Sequence, residues 1–287
     1  MEVTAKTPSL SKVFLKKLFR NKLATVGLVL VSIMVLLAIL APVLAQYKPN
    51  EMAMNSTLLK PGQEGHLLGT DNYGRDLFSR IVYGARISLI VGIGAVAVGA
   101  AIGIFLGLIA GYFGGLLDSV IMRFMDALAA FPFILLAITL MTVLGTGLVN
   151  VIIAVGIGNI PGFARMIRGQ VLGVKEELFI EVTESLGASK WRILFRHVLP
   201  NCLTPIIVYA TMSVAGAIIS EAALSFLGLG IQPPTASWGN ILKEGKDFLV
   251  IAPHIAVFSG LAILLSVLGL NLFGDGLRDA LDPKTKI

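Results

Sequence analysis

Apolar residues in this 287-residue chain come in long unbroken runs, not in alternation and not on one helical face. Six stretches, 24–46, 87–113, 127–147, 149–167, 203–229 and 252–274, can each cross roughly 30 Å of hydrocarbon, which takes about 20 helical residues. The pattern predicts an all-α integral membrane protein with six transmembrane helices. The fourth run is the most interrupted, because "NVIIAVGIGNIPGFARM" holds Asn150, Asn159 and Pro161. A proline there frees a backbone carbonyl and bends the helix, which is tolerated where neighbouring helices enclose it.

The polar stretches between the runs are patterned as well. In 71–86, Leu77, Phe78, Ile81, Val82 and Ala85 share one helical face, and Arg75, Asp76, Ser79 and Arg80 share another. Asp71–Arg75 and Asp76–Arg80 are spaced as i,i+4 pairs with the acid first. Thr70 or Asp71 can cap the first amides. This spacing predicts an amphipathic helix at the membrane interface leading into the second span. Within that span Ala95, Gly99, Gly103, Gly107, Gly111 and Gly115 recur every four residues. They form a smooth ridge for close helix contact, inside the subunit or against a partner.

The segment 168–202 is too organised for a simple connection. Residues 175–186 have helix-forming composition, Gly187 is placed as a left-handed C-terminal cap, and Ser189 as the next N-cap. Trp191, Leu194, Phe195 and Val198 then make one apolar stripe, and Pro200 ends the second helix. Such a hairpin can lie on anionic lipid or serve as a docking knob for a soluble partner.

Charge orients the chain. With the N-terminus inside, 16 of the 23 lysines and arginines fall on the inner side and 7 on the outer, which predicts cytoplasmic termini and a cytoplasmic 168–202. The formal charge of +6 therefore reads as orientation in a bilayer and not as a nucleic-acid surface. The basic start "KVFLKKLFRNK" precedes uncharged residues 24–46 without an A-x-A-like break, so a retained anchor is expected. Cys202 is the sole cysteine and reads as a small buried apolar residue. The chain holds no G-x-x-x-x-G-K-[ST], no H-E-x-x-H and no nucleophile elbow. His66, His197 and His254 are far apart in sequence. The polypeptide is not read as an enzyme.

Residues 181–200 resemble the cytoplasmic "EAA" loop of bacterial ABC importer permeases, E-A-A-x3-G-x9-I-x-L-P. Glu181, Gly187, Leu199 and Pro200 keep that pattern, while Val182, Thr183 and His197 depart from it. "HLLGTDNYGRDLFSRIVYGARISLIVG" (66–92), "DSVIMRFMDALAAFP" (118–132), "SEAALSFLGLG" (220–230), "PPTASWGNIL" (233–242) and "NLFGDGLRDALDP" (271–283) are similar to the dipeptide, oligopeptide and nickel class of these permeases. The resemblance implies the type I importer permease fold and the second, C-type subunit of a heterodimeric pore in the bacterial cytoplasmic membrane. It divides the chain into a cytoplasmic segment 1–23, a first span 24–46, an extracellular segment 47–86, a permease core 87–274 containing loop 168–202, and a cytoplasmic tail 275–287.

The same resemblance implies a homologous second permease, two ATPase subunits that bind ATP and Mg, and an extracellular substrate-binding protein. It implies no cofactor in this chain. ATPase coupling falls on Glu181, Glu184, Leu186, Gly187, Ala188, Ser189, Arg192, Arg196 and Pro200, and Asp71, Arg75 and Asp76 lie toward the docked binding protein. The cargo it implies is a di- or oligopeptide, with a nickel chelate as the alternative. A self-sufficient secondary carrier is the rival reading, for which Glu221 would be an ion site. Glu221, the one carboxylate well inside a span, is either a functional gate or pore residue or a brace of the bundle. Ser220, Asn150 and Asn159 divide in the same way between pore lining and packing.

Overall fold

A computed structural model describes residues 17–281, and its regular structure is helical apart from an isolated bridge between Thr70 and Asp76. The N-terminal residues 1–16 and tail residues 282–287 lie outside the described part. Five helices are long and apolar enough to cross a membrane, and a bent helix pair makes a sixth crossing if counted as one span.

Helix α1 (Lys22–Leu44) is capped by Asn21, whose Oδ1 accepts from Leu23 N and Ala24 N. Its small residues Ala24, Gly27, Ala38 and Ala41 are buried, while Ile39 and Val43 are exposed apolar surface, as expected of a helix facing lipid. It runs antiparallel to the last helix, α10 (His254–Leu281). A Cβ on Gly27 would lie 2.4 Å from Phe273 N, and one on Gly276 would lie 2.1 Å from Ala24 Cβ. Both described ends of the chain therefore meet on one face, the terminal face; the opposite one is the distal face.

Helix α2 (Leu77–Phe113) runs unbroken for 37 residues from the distal to the terminal face, about 55 Å at 1.5 Å per residue. The sequence pattern starts an interfacial helix at 71 and leads it into the second span, and the structure corrects the start. The helix begins only at Leu77, with Asp76 as N-cap accepting from Ser79 N at 2.7 Å, and continues straight into the span. Residues 70–76 form a tight turn instead, in which Asp71 Oδ1 accepts from Tyr73 N and Arg75 N.

The glycine ridge of α2 packs inside the subunit, on α5 (Leu148–Lys175). Added Cβ atoms on Gly99, Gly103, Gly107 and Gly111 would come 2.5–2.8 Å from Asn159, Phe163, Ala164 and Val171. Both partners rise together along the contact, so the helices are parallel with their backbones in near contact. Gly115 lies beyond the end of α2 and is not part of the ridge.

The expected third span, 127–147, is two helices, α3 (Gly115–Ala130) and α4 (Phe133–Leu144), bent by 90° at Phe131–Pro132. Proline cannot continue the first helix, and it disfavours helical backbone at Phe131. Helix α3 lies against α2 and α5 through Met125, with Ile121 and Met122, while its Leu116, Val120 and Phe124 stay exposed. Helix α8 (Leu203–Phe226) returns to the distal face, where the short α9 (Trp238–Lys246) precedes α10. Trp238 anchors α9 to α2 by donating from Nε1 to the carbonyl of Ile81 at 2.9 Å.

Candidate functional site

On the terminal face, the end of α5 and the segment up to α8 build a folded knob. The fourth span does not end at 167 as its apolar run suggests; α5 continues helically to Lys175. Helix α6 (Leu178–Ser185) follows, then a reversal at Gly187, where φ is +79°. Gly187 N donates to Glu184 O at 2.9 Å and Ala188 N to Thr183 O at 3.3 Å, the paired bonds of a Schellman cap. Ser189 caps the next helical stretch, α7 (190–201), accepting from Arg192 N at 3.4 Å.

Two expectations for α7 are corrected. Pro200 does not stop it: the backbone widens to a π turn over Leu194–Val198, with Leu199 N bonding Leu194 O, and helix continues through Pro200 to Asn201. Proline lacks an amide and clashes with the carbonyl four residues back, and a widened turn relieves both demands. The buried face also differs from the expected stripe. Ile193, Leu194 and Val198 are buried with Ile167, Val171 and Ile180, while Trp191 and Phe195 stand out as an exposed stacked pair.

The knob's outer surface is thus apolar where a purely solvated turn would be polar. Leu178 is 72% exposed, Leu186 82% and Trp191 52%, with Val182 and Phe195 beside them. Glu181, Arg192 and Arg196 are exposed around this patch, and Ala188 is partly covered. Glu184 is the member of the predicted coupling set that reaches back into the bundle, accepting from the Tyr112 hydroxyl at 3.0 Å.

On the distal face, the charges expected along one solvent-facing helix side are buried together. Arg75 Nε donates to Asp71 Oδ2 at 2.6 Å and Arg75 Nη2 to Glu244 Oε2 at 2.7 Å. Arg80 Nη2 reaches Glu244 Oε2 at 3.5 Å, and its Nε stands 3.4 Å from Asp71 Oδ2 without hydrogen-bond geometry. The expected Asp76–Arg80 pair does not form, since Asp76 caps α2 and bonds His66 Nδ1 at 2.9 Å. Asp71, Arg75 and Asp76 are each at most 3% exposed. Their charge therefore shapes the 66–80 segment and is withdrawn from its surface, where Tyr73 lies over the Arg75 guanidinium at 4.6 Å.

Glu221 is fully buried in α8, at the junction of three elements. It accepts from Ser225 Oγ at 2.8 Å and Ser88 Oγ at 3.3 Å. Ser225 Oγ in turn accepts from Ile231 N, and Ser237 Oγ from Asn240 N. The other polar candidates are each bonded to nearby backbone. Asn150 Nδ2 donates to Leu144 O and Gly145 O, Asn159 Nδ2 to Val155 O, and Ser220 Oγ to Gly216 O. A cavity of about 420 Å³ opens instead at the α3–α4 bend, between Phe131, Pro132, Gly158, Pro161 and Arg165.

Three features were invisible in the sequence pattern. Glu244 completes the distal charge cluster from 169 residues away. Arg168 grips Asp118 through two bonds of 2.5 and 2.6 Å, tying α3 to α5. Tyr112 holds the knob. His66 and His254 both neighbour the 66–76 turn while His197 lies on the knob, and the described residues hold no His, Cys, Asp or Glu cluster suited to a metal ion.

Comparison with known proteins places this architecture. A family model described as "Binding-protein-dependent transport system inner membrane component" matches residues 103–287, and one described as "N-terminal TM domain of oligopeptide transport permease C" matches residues 9–61. The chain is 47% identical to the glutathione transport system permease protein GsiD of Pectobacterium atrosepticum, over 95% of this chain and 91% of the relative. It is 48% identical to the dipeptide transport system permease protein DppC of Alkalihalophilus pseudofirmus, over 94% and 89%. GsiD of Escherichia coli O157:H7 is 50% identical over 95% and 90%. Among solved structures, a chain of the methionine ABC transporter MetNI in an inward-facing form shares the fold, with a TM-score of 0.58 and 20% identity over 70% of this chain and 96% of that one. This multi-pass chain belongs to the family of inner-membrane permease components of binding-protein-dependent ABC importers.

Proposed function

We propose that the chain is one of two homologous permease subunits of an ATP-driven importer of short peptides, dipeptides or glutathione. In this reading the terminal face is cytoplasmic and both termini lie there. The knob docks in a cleft of a separate ATPase, which binds ATP and Mg, and the distal face receives a substrate-loaded binding protein. The observation that carries the reading is the knob itself: a rigidly capped turn with Leu178, Val182, Leu186, Trp191 and Phe195 exposed, a surface suited to a protein socket. The names of the relatives support the cargo class.

The 66–80 turn is the proposed seat of the binding protein, through Tyr73 and neighbouring surface that the buried Asp71, Arg75 and Asp76 hold in shape. Glu181, Arg192 and Arg196 are proposed to pair with charges at the ATPase rim. Reconstitution of the complete complex in liposomes tests the scheme. Uptake of radiolabelled dialanine or glutathione should require ATP and the binding protein, and Gly187→Arg, at a position with open space around it, should abolish copurification of the ATPase. Uptake by this subunit alone down an ion gradient would refute the importer reading.

A further inference from the structure

Besides the apolar packing of Ile193, Leu194 and Val198 on α5, the knob's polar and aromatic contacts converge on the last two residues of α2. Tyr112 is 3% exposed. Its hydroxyl donates to Glu184 Oε1 at 3.0 Å, and its carbonyl accepts from Lys175 Nζ at 2.9 Å. The Lys175 ammonium also lies 5.6 Å over the Tyr112 ring. Phe113 meets Trp191 edge-on at 5.8 Å, and Lys190 lies 6.0 Å over its ring. The end of α5, the end of α6 and the start of α7 thus converge on two adjacent residues.

What lies at the other end of α2 gives this point its consequence. The helix is unbroken, and its glycine ridge seats it against the α5 backbone. Its distal end carries Asp76 and Arg80, bonded to His66 and Glu244. A displacement of the knob can be absorbed at the turn at 176–177, or it can be passed to α2 as a rigid body. The Tyr112–Glu184 bond bypasses that joint, because it links the last turn of α6 directly to the end of α2.

We infer that Tyr112 is a positioning residue for energy coupling: its hydroxyl, through Glu184, fixes the α6–α7 turn on α2, so that movement of the docked knob reaches the distal charge cluster. The inference rests on the reading of the knob as the ATPase-docking element. It assigns the Glu184 carboxylate to Tyr112 and not to the ATPase rim.

The test uses the complete complex in proteoliposomes, measuring dialanine or glutathione taken up and ATP hydrolysed in the same preparation. Tyr112→Phe removes only the hydroxyl. Substrate moved per ATP should fall about five- to ten-fold, as expected for loss of one charge-assisted hydrogen bond, with ATPase copurification and hydrolysis within about two-fold of wild type. Glu184→Ala, at an exposed side chain whose truncation spares the fold, should match it, and the double variant should be no worse than either single change. Glu184→Gln keeps an acceptor oxygen and should restore most of the coupling. A wild-type ratio in Tyr112→Phe overturns the inference, as does a defect in Glu184→Ala alone or additivity in the double variant. Failure of the importer reading is seen separately, as wild-type complex that hydrolyses ATP without moving substrate, and the inference falls with it.

Discussion

Replacing Glu244 by glutamine should destabilise the protein far more than its place in a short surface helix suggests. Four charged side chains meet there, Asp71, Arg75, Arg80 and Glu244, with exposures of 1%, 1%, 0% and 15%. Two guanidiniums face two carboxylates, so the cluster is neutral. Glutamine keeps the shape and one acceptor but leaves two buried cations sharing Asp71. Removing one partner of a buried ion pair costs about 3–5 kcal/mol, and the partial solvent access of Glu244 places this case near 3 kcal/mol. At about 2–4 °C per kcal/mol for a chain of this size, the melting midpoint should fall by about 6–12 °C.

The sole cysteine provides the assay. Cys202 is buried on the terminal face, in the core under the knob, so thiol labelling during a thermal ramp reports global unfolding far from the substitution. Partner subunits, if present, are made cysteine-free. The control is Arg80→Met with Glu244→Gln, which restores neutrality by leaving the Asp71–Arg75 pair intact. Replacing a buried pair as a whole is near neutral, so this double variant should lose about 1 kcal/mol or less despite carrying one more change. A midpoint within about 2 °C of wild type for Glu244→Gln alone, or a double variant less stable than the single, refutes charge balance as the cluster's organising principle.

Other expectations use the same ramp or the uptake assay. Gly103→Val places atoms where a Cβ would already be 2.6 Å from Phe163 Cβ, and should cost about 2–3 kcal/mol by prising α2 from α5, whereas Gly260→Ala, with nothing nearby, should not register. Gly187→Ala meets no atom but must adopt φ near +79°, costing about 1 kcal/mol, seen as faster hydrogen exchange over 185–189, with Gly187→Asn milder. Glu221→Gln should leave uptake near wild type, while Glu221→Leu should orphan its serine partners and lower stability by about 3 kcal/mol. Strong loss of uptake in a fully stable Glu221→Gln would make the carboxylate part of the transport path.

The spans were legible because hydrocarbon imposes its own length on the sequence. What spacing did not show is whether a polar face meets water or another part of the chain. Arg75, Asp76, Ser79 and Arg80 have the spacing of a solvated helix face, but periodicity cannot distinguish water from a buried carboxylate 169 residues downstream. The "AAFP" at 129–132 lay inside an apolar run, and hydropathy alone hid the bend that Pro132 imposes. In the knob the caps were readable because Gly187 and Ser189 act locally. The stripe Trp191–Leu194–Phe195–Val198 joins two adjacent i,i+4 rows, of which the structure buries Leu194–Val198 with Ile193 and exposes Trp191–Phe195, a choice that apolar spacing alone does not make.

Glu221 shows the same limit at the candidate site. A carboxylate inside a span is costly enough that a role is demanded, and sequence offers two. The structure gives it hydroxyl donors from two places, Ser88 on α2 and Ser225 one turn along α8. Gly230 and Gly239 press against Ser225 so closely that a Cβ on either would fall within 2.7 Å of it. Ser225 also accepts from the Ile231 amide, so its hydroxyl is oriented toward Glu221. Through these bonds Glu221 joins α8 to α2 at Ser88 and, by way of Ser225, to the 227–237 connection at the Ile231 amide. Arg80 and Glu244 span the α2–α9 joint, so the carboxylate of Glu221 and the distal charge cluster each fasten a neighbouring element to α2.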